Sequence, residues 1–307
     1  MRFSFAAVLL ALGLAACSAD SGWHPPGPLP PGCSLREEAA APLRDHRNFM
    51  LVQVAINGTP ATMVVDTGAE ISTITPAAAA SLALPAEIGG KPHVLHGVAG
   101  DVAAQRLRID EIALHGTVLR TNLMVDSSRM PPFPGIEPPV AGLLGADVLS
   151  AYEVELNLPA QRLALYSATG CTGYTPWHDA VAIPVQRTRT GLIFADGLLE
   201  GRKVRTLLDS GARTTLVRRS TALTVGVSEA ALAADQSVTG KGIGAGSINF
   251  RLHQFGEIGL PGDVMQGAIA DVAELHLPGV EMLLGADYLG ARHVWISYGT
   301  SRIFVRR

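Results

Sequence analysis

One short pattern occurs twice in this chain, and the repetition limits the folds that the chain can adopt. Residues 64–69 and 207–212 share the order apolar pair, aspartate, hydroxyl residue, glycine and alanine. A second pattern, Leu-Leu-Gly-Ala-Asp, occurs at 143–147 and again at 283–287. The first pair of copies is 143 positions apart and the second pair is 140 apart. Two separate motifs that recur nearly in phase indicate an internal duplication.

The two aspartates of the first pattern, Asp66 and Asp209, are the leading candidates for chemistry. Each follows an apolar segment and precedes a glycine, as in a tight loop that holds a carboxylate in a fixed place. An isolated Asp-Thr-Gly is more often an ordinary turn than a catalytic site. The second copy favours a catalytic site over an ordinary turn, because each aspartate has a counterpart at the matching point of the duplication.

Strand-like segments dominate the chain from Phe49 onward, and Asn57-Gly58 is a strong signal for a hairpin between two of them. The predicted strands are 50–56, 61–65, 105–114, 119–125, 152–158, 162–166, 192–199, 204–208, 248–255, 265–270, 293–297 and 303–306. Short helices are predicted at 76–82, near 228–234 and at each Gly-Ala-Asp. There, Asp147 and Asp287 are placed to cap the helix. The chain is therefore predicted to be mostly β.

These motifs resemble a known family. Asp-Thr-Gly-Ala between apolar strands, a glycine-rich hairpin about thirty residues later, and then Leu-Leu-Gly-x-Asp-x-Leu are similar to one half of a retropepsin-type aspartic protease. The resemblance covers residues from about 48 to 307, in two tandem halves. It implies an all-β fold with two pseudo-symmetric β-barrel halves, few short helices and an active site between the halves.

The resemblance also implies roles for individual residues. Asp66 and Asp209 would share a proton and activate a water molecule, because two carboxylates held close together are not both ionised. The residues implied to support the two loops are Thr67, Gly68, Ser210 and Gly211. The flap glycines implied to close over a substrate are Gly97, Gly100, Gly242 and Gly244. Neither a metal nor a cofactor is expected.

Two pairs of matched positions suggest further properties of the site. Glu70 and Arg213 carry opposite charges, so we expect a cleft with polar ends that binds substrate in one preferred direction. Ala69 and Ala212 stand where pepsin-like enzymes usually have a hydroxyl that bonds the catalytic carboxylate. Fewer hydrogen bonds to the charged form predict an activity optimum in mild rather than strong acid.

The N-terminus predicts export. Residues 1–16 read as a signal peptide, and Leu14-Ala15-Ala16-Cys17 resembles the lipobox of bacterial lipoproteins, with Cys17 as the lipidated residue. An ordinary cleaved signal is the alternative. Residues 17–47 are expected to be a proline-rich tether. The protein is therefore expected to be a membrane-anchored lipoprotein facing the periplasm or the cell exterior.

The rest of the chain is divided into a first half at 48–168, a connector at 169–179 and a second half at 180–307. If Cys17 is acylated, Cys33 and Cys171 remain, and an exported compartment permits a disulfide between them. Because one chain carries both halves, we expect a monomer that forms an intramolecular pseudo-dimer.

Composition and motifs argue against several other functions. The net charge of −3 without a long basic run does not favour nucleic acid as a partner. Residues 240–245 fit a dinucleotide-binding pattern, but a strand-like segment follows them where that pattern needs a helix. No zinc-binding or serine-hydrolase motif is present in the sequence.

The sequence therefore predicts an aspartic endopeptidase that acts on extended peptide or protein. The main alternative is an exported binding module of the same fold that holds peptides without cutting them. A purely structural envelope lipoprotein would leave the matched aspartates unexplained.

Overall fold

The computed structural model of the chain describes residues 26–87, 93–128, 130, 133–172, 174–244 and 246–307. Strands account for most of the regular structure, and the helices are short, so the predicted all-β class is confirmed. The predicted signal peptide and Cys17 lie outside the described residues. In the described part of the chain, no helix has the length and apolar character needed to span a membrane.

Eleven strands precede the connector, and the hairpin predicted at Asn57-Gly58 joins two of them. Both turn residues have positive φ, 48° and 77°, as the tight turns of hairpins require. The strands are β1 (Ser34–Pro42), β2 (Arg44–His46), β3 (Phe49–Ile56), β4 (Thr59–Val65), β5 (Thr73–Ile74), β6 (His93–Gly97), β7 (Gly100–Leu114), β8 (Thr117–Ser127), β9 (Val140–Leu144), β10 (Glu153–Asn157) and β11 (Arg162–Thr169).

Twelve strands follow the connector. They are β12 (Val181–Arg187), β13 (Ile193–Leu199), β14 (Arg202–Leu208), β15 (Leu216–Arg218), β16 (Ser237–Lys241), β17 (Ser247–Gln254), β18 (Glu257–Leu260), β19 (Asp263–Gln266), β20 (Ile269–Ala273), β21 (Met282–Leu284), β22 (His293–Ser297) and β23 (Arg302–Arg306). The segment 265–270, predicted as one strand, contains the end of β19 and the start of β20. Gly267, with φ of 63°, separates the two strands.

The described residues contain five short helices. They are α1 (Pro76–Ser81), α2 (Ala146–Leu149), α3 (Arg219–Thr224), α4 (Glu229–Ala234) and α5 (Ala286–Leu289). The side chains of Thr75 and Ser228 cap α1 and α4, which is why these helices were predictable. Helix α3 was not predicted, because it begins without a side-chain cap and contains residues of modest helix propensity.

The two halves share one arrangement around the duplicated motifs. In the first half, β9 pairs in parallel with β4 and antiparallel with β5. In the second half, β21 pairs in the same two ways with β14 and β15. The Leu-Leu-Gly strand of each half therefore runs between the two strands that flank the aspartate loop. This arrangement fixes the loop from behind.

Six neighbouring strands of a 15-stranded sheet, in the order β1-β11-β10-β22-β23-β12, join the halves. Their central pair, β10 and β22, brings one strand from each half into antiparallel contact. Strand β1 forms one edge, where it pairs with β11 over the whole of Ser34–Pro42. The predicted tether at 17–47 is therefore wrong beyond residue 33, and the first half begins before residue 48. Ala39 and Ala41 are buried in this strand. The strand was not predicted because alanine is not typical of strands.

A disulfide between Cys33 and Cys171 ties the start of β1 to the connector. This is the pairing that the sequence raised as a hypothesis. Next to it, an aromatic cluster packs on one face of the six joining strands. Its large members are Tyr166, Tyr174, Trp177, Trp295 and Phe304. The connector is therefore packed and covalently held, and it is not a loose link between the halves.

Candidate active site

The two aspartate loops meet between the halves. A methyl group on Gly68 would lie 2.3 Å from Cγ of Asp209, and a methyl group on Gly211 would lie 2.3 Å from Cγ of Asp66. Real Cβ contacts of this length do not occur, so each carboxyl occupies space that is free only because the opposite loop has glycine. The structure therefore brings Asp66 and Asp209 together, with each carboxyl against the glycine of the other loop.

Reciprocal hydrogen bonds lock the loops to each other. Thr67 donates its hydroxyl to the carbonyl of Leu208 at 2.8 Å and accepts from the backbone N–H of Ser210 at 3.0 Å. Ser210 donates its hydroxyl to the carbonyl of Val65 at 2.7 Å and accepts from the backbone N–H of Thr67 at 3.1 Å. Both hydroxyl residues are fully buried. These four bonds fix the separation of the aspartates, so a loss of either hydroxyl would loosen the pair.

The surroundings of the two carboxyls are similar but not identical. Gly68 donates its backbone N–H to Asp66 Oδ1 at 2.9 Å. Asp209 Oδ1 accepts from the backbone N–H groups of both Gly211 and Ala212, at 2.9 and 3.0 Å. Hydrogen bonds to a carboxylate favour its charged form, and the backbone N–H of Ala69 also lowers the pKa of Asp66, so both loops oppose the rise in pKa that burial causes.

Burial and mutual repulsion shift the pKa values of the pair. Burial raises the pKa of Asp66 well above the ordinary value of 3.8, and the negative charge of Asp209 raises it further. Burial also raises the pKa of Asp209, while hydrogen bonds from Asp66, Ala212 and Gly211 oppose the rise. The pair therefore keeps one proton at a pH where ordinary aspartates are ionised.

The Leu-Leu-Gly strands hold the loops from behind. The backbone N–H of Asp66 donates to the carbonyl of Leu144 at 2.9 Å, and that of Asp209 donates to the carbonyl of Leu284 at 3.0 Å. A methyl group on Gly285 would lie 2.6 Å from the backbone of Thr214 in the second loop. Glycine at the end of the strand therefore permits the close approach of the two backbones.

Two further carboxylates, those of Asp147 and Asp287, brace the loops. Asp147 and Asp287 lie in the first turns of their helices, two positions beyond the N-cap positions that were predicted to hold them, because Gly145 and Gly285 occupy those caps. Asp287 still accepts from the N–H of Tyr288 in α5 at 2.8 Å. Asp147 Oδ1 accepts from the hydroxyl of Ser72 at 2.7 Å. In the second half, Asp287 accepts from both the hydroxyl and the backbone N–H of Thr215, at 2.8 Å each.

Ser72 and Thr215 were missed as site residues by the sequence analysis. Each lies six positions after its aspartate, where the loop ends, and each is completely buried. Their hydroxyls also accept from the backbone N–H of the glycine in the Leu-Leu-Gly strand, at 3.0 Å for Ser72 and 3.3 Å for Thr215. The signal that could have revealed them is the duplication itself, since both copies have a hydroxyl at this position.

Two hairpins carry the predicted flap glycines, and their tips meet. Strands β6 and β7 form one hairpin and β16 and β17 form the other. Ala99 donates its backbone N–H to the carbonyl of Ile243 at 3.1 Å. A methyl group on Gly97 would lie 1.9 Å from that carbonyl oxygen, and one on Gly242 would lie 2.1 Å from Cγ2 of Val98. Glycine is therefore required at Gly97, where the obstacle is backbone, whereas the obstacle at Gly242 is a side chain.

Each flap tip packs on the apolar side chains of the opposite half. Ile243, from the second flap, contacts a first-half cluster of Leu51, Val64, Ile136, Val140 and Leu143. Val98 and Ala99, from the first flap, contact a second-half cluster of Phe194, Leu207, Leu216, Ile248, Ala273, Leu275, Val280 and Leu283. Val64 and Leu207 each lie two positions before a paired aspartate. The pair of Asp66 and Asp209, called the dyad below, therefore has an apolar cluster next to it in each half. In this conformation the flap tips cover both clusters.

Glu70 and Arg213, predicted to contact substrate, bridge the halves at their exposed positions. Glu70 accepts from the hydroxyl of Thr190 in the second half at 2.8 Å. Arg213 donates its Nε–H to the carbonyl of Arg47 in the first half at 2.9 Å.

Among the described residues, no group of three or more His, Cys, Asp and Glu has the arrangement of a metal site. A buried carboxyl pair with one shared proton can act as an acid and a base at the same time.

Comparison with known proteins identifies the family. A sequence profile described as aspartyl protease matches residues 52–148 and, independently, residues 195–288. The two matches contain the two aspartate loops, the two flap hairpins and the two Leu-Leu-Gly strands. A search of curated proteins gives no significant match. Because the two matches together span more than half of the chain, the chain belongs to the aspartyl protease family and carries the family's unit twice in tandem.

Proposed function

We propose that this protein is an aspartic endopeptidase that hydrolyses peptide bonds in extended polypeptides. The observation that carries the proposal is the reciprocal contact of the two loops, in which each carboxyl lies against the glycine of the other. The family gives the protease-like fold, and the intact pair of carboxyls supports activity. One chain supplies both carboxyls, so a monomer is sufficient for the proposed reaction.

In the proposed mechanism, ionised Asp209 accepts a proton from a water molecule held between the carboxyls. The water oxygen bonds to the peptide carbonyl carbon, while Asp66 donates its proton to the carbonyl oxygen. The tetrahedral intermediate then collapses, the C–N bond breaks, and the leaving nitrogen receives a proton from the pair. The backbone N–H groups that bond Asp209 stabilise its charged form before the reaction begins.

The flaps and the apolar clusters suggest how a substrate is held. An extended peptide would pass between the flaps and the dyad and would pair with the flap backbone as an added strand. Its side chains next to the scissile bond would replace Val98 and Ile243 on the two apolar clusters. We therefore propose apolar residues on both sides of the scissile bond.

Cleavage of a diverse peptide library by the purified protein, with and without a statine-type inhibitor, tests the proposal. We expect cuts between apolar residues and loss of all cutting with the inhibitor. If the folded protein cuts no peptide between acid and neutral pH, the peptidase proposal fails. A fluorescent peptide that still binds would then point to the binding module.

We also propose export and lipid anchoring through Cys17. The disulfide between Cys33 and Cys171 supports an oxidising compartment. Labelling of cells with a fatty-acid analogue tests the anchor. The wild-type protein should become labelled, and Cys17→Ser should not, whereas equal labelling of both proteins would contradict lipidation at this residue.

A further inference from the structure

Two side chains of opposite charge occupy equivalent positions beside the carboxyl pair. Glu70 and Arg213 each lie four positions after a paired aspartate, and they are separated by the same 143 positions as the aspartates. The pseudo-two-fold relation that exchanges Asp66 with Asp209 therefore also exchanges Glu70 with Arg213. Residues exchanged in this way lie on opposite sides of the dyad. A homodimer made of two identical halves would instead have the same charge on both sides.

Contacts with the opposite half hold both side chains in place. Glu70 accepts from the hydroxyl of Thr190, in the turn between β12 and β13, and Arg213 donates to the carbonyl of Arg47, in the turn between β2 and β3. Thr190 and Arg47 are also 143 positions apart, so the two contacts are equivalents. The guanidinium of Arg213 additionally lies 5.3 Å from the ring centre of Phe49. Each of these contacts therefore joins the two halves beside the aspartate pair.

These contacts leave the charges of both side chains available. Glu70 and Arg213 are exposed, and their partners are a neutral hydroxyl and a neutral carbonyl. None of the ion pairs within the described residues includes either side chain. Each end of the cleft therefore carries one charged side chain that a bound peptide can sense, and the charge of Arg213 also acts on the carboxylate of Asp271.

The two charges are within reach of a peptide bound across the dyad. Four residues of backbone span at most about 14 Å, so neither charged residue is farther than this from its aspartate along the loop. An extended peptide advances about 3.3 Å per residue. Peptide side chains within about four residues of the scissile bond therefore pass these charges.

We propose that the cleft selects dipolar peptides, with a basic residue on the Glu70 side and an acidic residue on the Arg213 side. The inference rests on the proposed peptidase function and specifies its substrate class. Because a peptide chain has a direction, this selection fixes the direction in which the substrate lies across the dyad. The charges are exposed and screened by salt, so they bias cleavage and do not decide it alone.

Cleavage of position-scanned peptides tests this selection. The scissile pair stays apolar, and Lys or Glu is placed at each of four positions on either flank. We expect the wild-type protein to favour Lys on one flank and Glu on the other by about two- to five-fold in kcat/KM at low salt. Glu70→Gln keeps an acceptor for Thr190 and should remove only the preference for Lys. Arg213→Gln should remove only the preference for Glu, on the opposite flank.

Three outcomes have distinct meanings. If both variants cleave peptides with the wild-type flank preferences, the selection is refuted and the two residues serve only as contacts between the halves. If both variants change the preference on the same flank, the assignment of the charges to opposite ends is wrong. If the wild-type protein cleaves nothing, the proposed function fails, and the affinities of the same peptides then show whether charge selection exists without catalysis.

Discussion

At the level of single residues, the groups around each carboxyl set the pH at which the pair works. Asp66 is only 6% exposed, and its carboxyl accepts from the backbone N–H groups of Gly68 and Ala69 and from no neighbouring hydroxyl among the described residues. Ala69 and Ala212 provide no such hydroxyl on either loop. Desolvation therefore outweighs hydrogen bonding, and the pKa of Asp66 lies well above its ordinary value.

This balance predicts a pH–rate profile with its maximum in mild acid. The active pair has one proton, so activity falls at high pH when that proton is lost. Because burial and the charge of Asp209 raise the pKa of Asp66, this alkaline fall should occur well above the 3.8 of an ordinary aspartate. The dependence of kcat/KM on pH measures it. A maximum in strong acid, with activity already lost near pH 4, would contradict the account.

Sequence reasoning identified the paired residues because the duplication marks them. Asp66, Asp209 and their loop neighbours share a local pattern that repeats after 143 positions. Ser72 and Thr215 have no local signature, because each is a lone hydroxyl whose carboxylate partner lies 75 or 72 positions away. Only a comparison of the two copies beyond the aspartate motif would have marked them. The same distance hid the role of Asp147 and Asp287, for which helix capping was the nearest local explanation.

At the level of elements, the two flap hairpins determine whether the closed conformation can form. Their tips cross so closely that backbone of one flap occupies the space beside a glycine of the other. The flap glycines differ in how much space a side chain would find. Gly97 faces the carbonyl of Ile243, whereas a methyl group on Gly246 would lie 3.9 Å from its nearest neighbour, in ordinary van der Waals contact.

We therefore expect Gly97→Ala to lower kcat/KM by about ten-fold or more, since even a small misplacement of groups that position substrate is costly. The added methyl group would prevent the flap tips from crossing as they do here. Gly246→Ala is the matched control and should retain activity within about two-fold. The measurement is kcat/KM on a cleavable peptide for both variants, together with thermal unfolding to show that each is folded. Equal activity of Gly97→Ala and the wild-type protein would show that this crossing is not needed for catalysis.

Elements with strong local signals were predictable and others were not. Alternating or apolar segments between turn residues marked most strands, and Thr75 and Ser228 marked the starts of two helices. Strand β1 was not predicted, because its alanines and glutamates resemble a polar tether. Its conformation is determined by pairing with β11. The long hairpin of β7 and β8 is replaced by four shorter strands, β17 to β20, in the second half, which sequence periodicity did not separate.

At the level of the whole molecule, buried polar contacts join the two halves away from the dyad. Glu155 in β10 is completely buried and accepts from the hydroxyl of Tyr166 at 2.7 Å. Its other oxygen lies 2.7 Å from Nε2 of His293 in β22, which belongs to the second half. The pairing of β10 with β22 could not be predicted from local patterns, because its partners are about 140 residues apart.

The disulfide closes a loop of 138 positions that contains the entire first half. The double variant Cys33→Ala, Cys171→Ala should therefore be less stable by about 2–4 kcal/mol, because the unfolded chain regains the freedom that the cross-link removes. Denaturant unfolding of oxidised protein and double variant measures the difference. Below its unfolding transition the variant should keep peptide cleavage, since the bond is remote from the dyad. An unchanged midpoint would contradict a stabilising role.

The central claim is that Asp66 and Asp209 act as one pair, and the activities of three matched variants test it most directly. Asp66→Asn and Asp209→Asn each remove a carboxyl of the pair. Asp147→Asn replaces another largely buried carboxylate, which braces the loop through Ser72 and also bonds the backbone of Val148, and an amide oxygen can still accept the bond from Ser72. The measurement is kcat/KM on one cleavable peptide, with thermal unfolding of each variant to show that it is folded.

The account predicts that Asp66→Asn and Asp209→Asn each lose activity by about 10²- to 10⁴-fold, as expected when a general acid or base is removed. Both variants should remain folded, and Asp147→Asn should stay within about ten-fold of the wild-type protein. If either dyad variant keeps near wild-type activity while folded, the two aspartates do not work as a pair and the proposed mechanism is wrong.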